Sequence, residues 1–297
     1  MSEVSLLKQK KDSISDTIQK CLELIEFNYN KDAHNILIKP NMCYYWDSTT
    51  GHTTDPLFVE EIVKILRTKY SNDVDISVIE SDASAMKCKY AFKMLGYEKM
   101  SERNKINLFN LSEMEKEKNS VTVNDKLYEF DIPIIIKNAD LLINIPKIKY
   151  MNSNIKMTCA LKNIFGCNPN HKKYIYHKDI NEVIVALNKL IKTDLCIVDG
   201  IVVHGIKTKK IDLIMASKDP VAIDTAAAKI IGVNPNTINY LKLAEKEKLG
   251  KMDPIVKGES INDWKKIYPT KTFQSKSLTF GYQMIKLFKL NKRMGLE

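Results

Sequence analysis

The sequence contains very little arginine. Of the 46 basic residues in 297, only Arg67, Arg103 and Arg293 are arginines, and the formal net charge is +10. A basic chain raises nucleic acid as a partner, but lysine lacks the planar fork with which arginine reads bases and phosphates. The lysines are also spread over most of the chain. We therefore interpret the charge as a solvated lysine-rich surface and do not expect nucleic acid to be the main ligand.

The fingerprints of several familiar enzyme classes are absent. No G-x-S-x-G, H-E-x-x-H, Walker or G-x-G-x-x-G segment occurs, so the usual hydrolase, zinc-protease, NTPase and dinucleotide motifs are missing. The six cysteines come no closer than Cys159 and Cys167, which leaves no C-x-x-C pair and no iron–sulfur run. We expect reduced, mostly buried thiols and predict no metal site. A mixed Cys/His site whose ligands meet only in space is the alternative.

Long hydrophobic runs are also missing. The longest, "IPIII" and "LLINIP", have the length of strands rather than the roughly 20 residues that a bilayer requires, and the first residues include no uninterrupted apolar segment. A chain with 44% hydrophobic and 28% charged residues is typical of globular proteins. We therefore expect a cytoplasmic protein.

What the chain does contain is an alternation of apolar strands with helical segments. The runs "HNILIKPN", "VDISVIES", "DLLINIP", "DLCIVDG" and "IDLIMAS" are predicted strands. In the first of them apolar and polar residues alternate only weakly, which is typical of a strand covered on both faces. Amphipathic helices are predicted at about 4–28 and 154–165, and after the Asp-Pro pairs that begin at Asp55 and Asp219. The pattern predicts an α/β fold: an open, mostly parallel, Rossmann-like sheet with helices on both faces.

Two smaller features complete the predicted architecture. The segment "VTVNDKLYEF" favours a small β-hairpin insertion, and "TFGYQMIKLFKLNKR" favours a basic amphipathic helix near the C-terminus. We predict one α/β domain over residues 1–262 and a helical appendage over 263–297. That helix is expected to pack on the domain or on a second subunit in a homodimer, with membrane-surface contact as the alternative.

Polar side chains follow several of the predicted strands. In open α/β sheets ligands bind outside the carboxyl ends of the strands, so these side chains are candidates for a site. Lys162-Asn163 interrupts an otherwise apolar helix end that follows one of them. The candidates read from the residues are Lys39, Asn41, Asp82, Lys147, Lys149, Lys162, Asn163, Asp199 and His204.

Crowded lysines need carboxylates such as Asp82 and Asp199, or a bound anion, because they otherwise depress one another's pKa values. We therefore predict that a small anionic metabolite, carrying a carboxylate or phosphate, binds among them. The candidate catalytic residues are Lys162, His177 and Asp199: His177 or Asp199 would move a proton, and Lys162 would act as a Schiff-base nucleophile in a covalent version. Strand-end turns, a helix cap and surface histidines are the simpler alternatives for most of these residues.

Six segments in order resemble the DUF362 family, a domain of unknown function: "IKPNM", "TTDPLFVEEIV", "ADLLINIPKIK", "MTCALKNIFG", "LCIVDGI" and "LIMASKDPVAIDTAAAKIIG". The resemblance spans about residues 34–258. It adds to the candidates Thr54, as a binding residue, and marks further positions in the same motifs: Pro40, Gly166, Asp219 and Asp224.

The family resemblance implies little about chemistry, because its function is unknown. Some members carry ferredoxin-like four-iron clusters, but this chain lacks the cysteine run. Members often have Lys-x-His where this chain has Lys147-Ile148-Lys149, which leaves His177 as the stronger histidine candidate. The alternatives to an enzyme are a redox or metal-carrying accessory protein that uses Cys43, Cys159 or Cys167, and a non-catalytic binding module. The sequence identifies no cofactor.

Overall fold

The structure is a computed structural model that describes residues 2–10, 13–70, 74–151 and 153–270. Strands and helices alternate along most of this chain. The strands are β1 Glu3–Lys8, β2 Asn35–Pro40, β3 Asp75–Glu80, β4 Asn107–Asn110, β5 Lys116–Val123, β6 Lys126–Pro133, β7 Leu141–Ile145, β8 Lys149–Tyr150, β9 Met157–Thr158, β10 Leu195–His204, β11 Thr208–Ser217 and β12 Ile255–Gly258. The helices are α1 Ile14–Leu24, α2 Pro56–Lys69, α3 Cys88–Met94, α4 Tyr97–Asn104, α5 Ile134–Lys137, α6 Ala160–Ile164, α7 Ile180–Leu190, α8 Pro220–Ile231, α9 Asn239–Lys246 and α10 Ile261–Ile267.

One large sheet organises the fold, with the strand order β12-β1-β11-β10-β7-β2-β3-β4. Every pairing along this order is parallel except those of β11 with β1 and with β10. Alternate residues of β2 enter different cores: Leu37 joins the core that α7 and α8 cover, whereas Ile36 and Ile38 join the one that α1 and α2 cover. The predicted open, mostly parallel α/β sheet with helices on both faces is confirmed.

The small hairpin insertion is present as β5 and β6, which form a separate two-stranded sheet. Its turn is Asn124-Asp125, and both residues have positive φ, 49° and 62°. Asn and Asp tolerate this left-handed backbone, which matches the twist of a tight hairpin. The turn residues therefore made this element readable from the sequence.

The predicted helix over residues 4–28 is wrong in its first part. Glu3–Lys8 is a strand that pairs antiparallel with β11 and parallel with β12, and the helix begins only at Ile14. Ser13 caps that helix by accepting the Asp16 N–H, and the Asp16 carboxylate accepts the Ser13 N–H. Because β1 lies inside the sheet, Val4 and Leu6 are buried, and tertiary pairing overrides the helical spacing of the apolar residues.

The predicted helix over residues 154–165 is also shorter than expected. Met157–Thr158 forms strand β9, which pairs with β8, and α6 covers only Ala160–Ile164. The carboxylate of Asp224 in α8 accepts the N–H groups of Ala160 at 2.6 Å and Leu161 at 3.3 Å. A side chain from a distant helix thus fixes where α6 begins. The sequence around α6 itself does not contain this information.

Because β11 runs antiparallel to β10, its carboxyl end does not share the edge at which the parallel strands end. Ser217, at its end, lies opposite Cys196 near the start of β10, so Asp219 lies at the other edge of the sheet. There Asp219 caps α8 by accepting the N–H groups of Val221 and Ala222. Asp219 therefore has a structural role and lies at the opposite edge of the sheet from the candidate site.

At the C-terminal end of the described chain, α10 runs from Ile261 to Ile267 across the predicted boundary at 262/263. Its Trp264 is buried against the core that contains α8. The predicted helix within "TFGYQMIKLFKLNKR" lies outside the described residues. No helix within the four described ranges combines the length and apolar character needed to cross a bilayer.

Candidate functional site

The sheet reverses its order between β2 and β7. From β2 the chain moves outward to β3 and then β4, whereas β7 lies on the other side of β2 and leads towards β10. Pro40, the last residue of β2, pairs with Ile145, the last residue of β7. Open α/β sheets bind ligands at such a switch point, outside the carboxyl ends of the strands.

A cavity of about 360 Å³ opens near these strand ends. Its wall is built from the loops after β2, β3 and β7 together with α6 and the 3₁₀ helix Lys173–Asp179. The predicted site residues that line it are Lys39, Asn41, Lys147, Lys149, Lys162, Asn163 and His177.

Two of the cavity lysines are paired with buried carboxylates. The Nζ of Lys39 lies 2.7 Å from Oε2 of Glu80 and also donates to the Pro40 carbonyl. The Nζ of Lys147 lies 3.0 Å from Oδ2 of Asp199, and both side chains are only 1% exposed. These pairs are neutral overall, so they bring ammonium groups to the cavity at a limited electrostatic cost.

Three further lysines on the cavity wall, Lys149, Lys162 and Lys173, have no carboxylate within ion-pair distance among the described residues. Lys149 donates to the His52 carbonyl at 3.0 Å, and Lys173 donates to Ser81 Oγ at 2.5 Å. The Nζ of Lys162 lies 3.7 Å from the centroid of the Phe165 ring. None of these contacts supplies a negatively charged partner.

Burial lowers the pKa of all three ammonium groups. The pKa of Lys162 falls to about 7, because it is removed from water and because Lys173 and Lys149 are nearby cations. Burial likewise lowers the pKa of Lys149 to about 8, with Lys147 and Lys39 adding repulsion. The pKa of Lys173 is also lowered by burial, against the opposing effect of Glu80. Lys162 and Lys149 therefore titrate near neutral pH, which an exposed lysine does not do.

Asparagines attach α6 to the sheet and so position Lys162. The Nδ2 of Asn163 donates to Asn144 Oδ1 at 2.7 Å and to the Lys39 carbonyl at 3.2 Å, while Asn144 Nδ2 donates to the Ala160 carbonyl. Burial raises the pKa of Asp224, which caps the helix, to about 7. Asn163 lines the cavity, but its contacts indicate that it mainly orients the helix.

Gly166 allows the Lys39–Glu80 pair to sit beside the end of α6. A Cβ atom there would lie 2.8 Å from Lys39 Nζ and 3.0 Å from Glu80 Oε1. The ammonium group cannot easily retreat, because it is held by Glu80 and by the Pro40 carbonyl.

We therefore expect Gly166→Ala to reduce the free energy of unfolding by about 1–3 kcal/mol, the usual cost of overpacking. Urea unfolding measures this change. The same substitution in a Lys39→Met background should cost clearly less, and an equal cost in both backgrounds would show that the added methyl group meets some other atom.

Four predicted residues lie outside the cavity wall. Thr54 is fully buried and joins two elements: its hydroxyl donates to the Ile145 carbonyl at 2.8 Å and accepts the Asn41 N–H at 2.9 Å. Asp199 contacts the site only through Lys147, and lies within β10 rather than at its end. Asp82 pairs with Lys87, not with a cavity lysine. His204 lines a neighbouring cavity.

Lys173 and Glu80 line the cavity but are not among the residues predicted from the sequence. Glu80 ends β3, directly beside the end of β2 in the sheet, and this position is the signal that identifies it as a partner for Lys39. Lys173 begins the 3₁₀ helix that carries His177. Its neighbour Lys172 is exposed, and no periodic pattern distinguishes the buried lysine from the exposed one.

The six cysteines are free, and all but Cys43 are buried. Cys43 and Cys159 line the cavity, and burial raises the pKa of Cys159 well above its ordinary value. Within the described chain, no three His, Cys, Asp or Glu side chains group together in an arrangement that could hold a metal ion.

Comparisons with known proteins give two partial similarities. Over 126 residues the chain is 36% identical to the thylakoid-associated protein sll1697 of Synechocystis, and the match covers 38% of each protein. The chain thus matches well under two thirds of that relative's length. The solved lactate racemase apoprotein from Thermoanaerobacterium thermosaccharolyticum matches with a TM-score of 0.40 and 13% identity, over 67% of this chain and 50% of that one.

The family comparison covers most of the chain. The model of DUF362, described as a domain of unknown function, matches residues 36–229. That range includes β7, α6, all but the first residue of β2 and α8 as far as Lys229, and it lies within the span over which the sequence resembles the family. The chain therefore belongs to the DUF362 family.

Proposed function

We propose that this protein is an enzyme that acts on a small metabolite bearing a carboxylate or phosphate, which binds in the lysine-lined cavity. One observation carries the proposal: Lys149, Lys162 and Lys173 share one cavity wall, and no carboxylate of the described residues pairs with them. Desolvated ammonium groups without partners destabilise a folded protein. A bound anion would supply the missing charge and favour their protonated forms.

The paired lysines complete this anion site. Lys39 and Lys147 are held by Glu80 and Asp199 and so present fixed N–H donors rather than free charge. Asp199 acts through Lys147, and we assign it a positioning role instead of the proton transfer predicted from the sequence. Asn41 lies on the same wall, and its Oδ1 atom is buried without a hydrogen-bond partner. That acceptor suits a hydroxyl or amide N–H of the metabolite.

Lys162 is the strongest candidate for the chemistry. With a pKa of about 7, roughly half of its side chains are neutral amines at neutral pH, and the neutral amine is the form that abstracts a proton or attacks a carbonyl. His177 lies at the rim of the cavity and is exposed, so it can exchange a proton with solvent. Lys162 as general base and His177 as the proton relay form one version; a Schiff base on Lys162 Nζ is the other.

The proposal predicts anion binding that depends on Lys162. Titration calorimetry at pH 7 with inorganic phosphate, sulfate and acetate should show binding of at least one anion, and Lys162→Met should weaken it by at least about tenfold, or 1.4 kcal/mol. Lys192→Met is the matched control, because the Lys192 side chain is 89% exposed. Equal affinities of wild type and Lys162→Met for every anion would refute the site. Borohydride trapping with carbonyl acids then separates the two versions of the chemistry.

A further inference from the structure

A second cavity adjoins the lysine-lined one. It has a volume of about 550 Å³, and four residues line both cavities: Cys43, Tyr44, Lys149 and Thr158. Clefts of a few hundred Å³ commonly hold small molecules. The shared wall makes the two cavities neighbouring parts of one larger concavity, with Lys149 at the junction.

The second cavity differs from the first because aromatic rings form its wall. Tyr44, Trp46, His52 and His204 form a continuous series of ring contacts, with centroid distances of 5.2, 4.7 and 3.9 Å between successive members. Tyr44 and Trp46 are each 47% exposed. Their rings therefore keep free surface next to the lysine cavity.

The loop after β2 places these rings, and to do so its backbone adopts left-handed conformations that are unfavourable for most residues. Gly51 has φ +73°, and a Cβ there would lie 2.6 Å from the Val203 carbonyl carbon. This close approach brings His52 against His204. Tyr44 has φ +52°, a left-handed backbone that is unusual for a bulky side chain and occurs preferentially at ligand-binding sites.

Two polar atoms in this region have no hydrogen-bond partner among the residues that the structure describes. The Oγ1 of Thr158, at the junction, and the Nδ1 of His204 are buried without a hydrogen bond. Buried polar atoms are nearly always bonded, so both are available to a ligand. Burial lowers the pKa of His52 to about 4, with contributions from His204, Lys149 and Lys147, and it lowers the pKa of His204 as well. Both rings are therefore neutral at pH 7.

We infer that the two cavities form one site for an aromatic anion, whose carboxylate or phosphate lies among the lysines and whose ring stacks on Trp46 and its neighbours. This inference rests on the proposed function, because it names the substrate class of the same anion site. We expect a planar ring to fit better than an acyl chain. The aromatic side chains of the wall are neutral and have free faces, and they can make offset or edge contacts with a planar ring that a flexible chain does not make.

Fluorescence provides a direct test, because the chain has only two tryptophans and Trp264 is 2% exposed. The probes are phenyl phosphate, cyclohexyl phosphate and inorganic phosphate, with benzoate, cyclohexanecarboxylate and acetate as the carboxylate series. In the series whose head group the lysines accept, we expect the aromatic member to bind about tenfold more tightly than the simple anion and to quench tryptophan emission. The cyclohexyl compound should bind more weakly than the aromatic one.

Variants at Trp46 distinguish stacking of the aromatic probe on this ring from non-specific binding of the probe. Trp46→Leu should reduce the affinity for the aromatic probe about tenfold and abolish its quenching, while leaving the affinity for the simple anion unchanged. Trp46→Phe should retain most of the affinity. His52→Leu should give a loss in the same direction, and circular dichroism of each variant controls for folding.

The outcomes distinguish this inference from the proposed function. If simple anions bind in a Lys162-dependent manner but the aromatic probes bind no more tightly than the cyclohexyl ones, the aromatic subsite is refuted and the anion site stands. Unchanged binding of the aromatic probe by Trp46→Leu has the same meaning. If neither sulfate nor any of the six probes binds, both proposals fall.

Discussion

Replacing Lys39 with methionine is expected to lower the free energy of unfolding by about 3–5 kcal/mol, the typical cost of breaking a buried ion pair. Lys39 and Glu80 are 1% and 4% exposed, and their charged atoms lie 2.7 Å apart. Without the ammonium group, Glu80 must remain buried as an unpaired charge or take up a proton, and either state costs free energy. Urea unfolding at pH 7, followed by circular dichroism, measures the change.

Two controls identify the buried charge as the cause. The double variant Lys39→Met/Glu80→Met should be more stable than Lys39→Met alone, since it removes the orphaned carboxylate as well. Lys64→Met breaks a pair with the same 2.7 Å distance, but the Lys64 side chain is 53% exposed, and it should change stability by less than about 1 kcal/mol. A double variant no more stable than the single one would mean that lost packing dominates.

The sheet was predictable because its strands carry their signal locally. β2, β3 and β7 each carry at least three apolar residues within five or six positions, and apolar strands of this kind are typical of sheets covered on both faces. β1 also has three apolar residues in six, yet their spacing with the residues that follow predicts a helix. What distinguishes it is its place between β11 and β12, and partners more than 200 residues away leave no local trace.

The candidate site was partly predictable for a topological reason. The ends of parallel strands meet at one edge, so Lys39, Lys147 and Lys149 could be brought together from strand order alone. The pairing of charges could not be read in this way. Asp82 was expected among the cavity lysines, yet its oxygens bond Lys87, the Cys88 N–H and Asn110, and Glu80, two residues earlier, faces Lys39 instead. Residues two apart on a strand point to the same face, but β3 ends at Glu80, and Asp82 in the following loop has no direction that strand alternation fixes.

We expect the affinity for an anion of fixed charge to fall by about 100-fold between pH 6 and pH 9. Sulfate is a suitable probe, because it stays doubly charged over this range. The pKa of Lys162 is lowered to about 7, so its ammonium form dominates at pH 6 and is about 1% of the total at pH 9. Lys149, with a pKa of about 8, steepens the fall above pH 8. Calorimetric titrations at each pH give the profile.

In Lys162→Met, the fall in sulfate affinity that begins near pH 7 should disappear. The fall near pH 8, which Lys149 causes, should remain. Lys192→Met is the matched control, since the Lys192 side chain is 89% exposed and its removal should leave the profile in place. The free energy of unfolding gives a second test that needs no ligand. Above pH 7 native Lys162 has lost its proton, whereas the same lysine in the unfolded chain still holds it. The free energy of unfolding should therefore rise towards pH 10 more in wild type than in Lys162→Met. Sulfate binding that is equally tight at pH 6 and pH 9 would show that Lys162 keeps its charge, and a base or nucleophile at that position would then be ruled out.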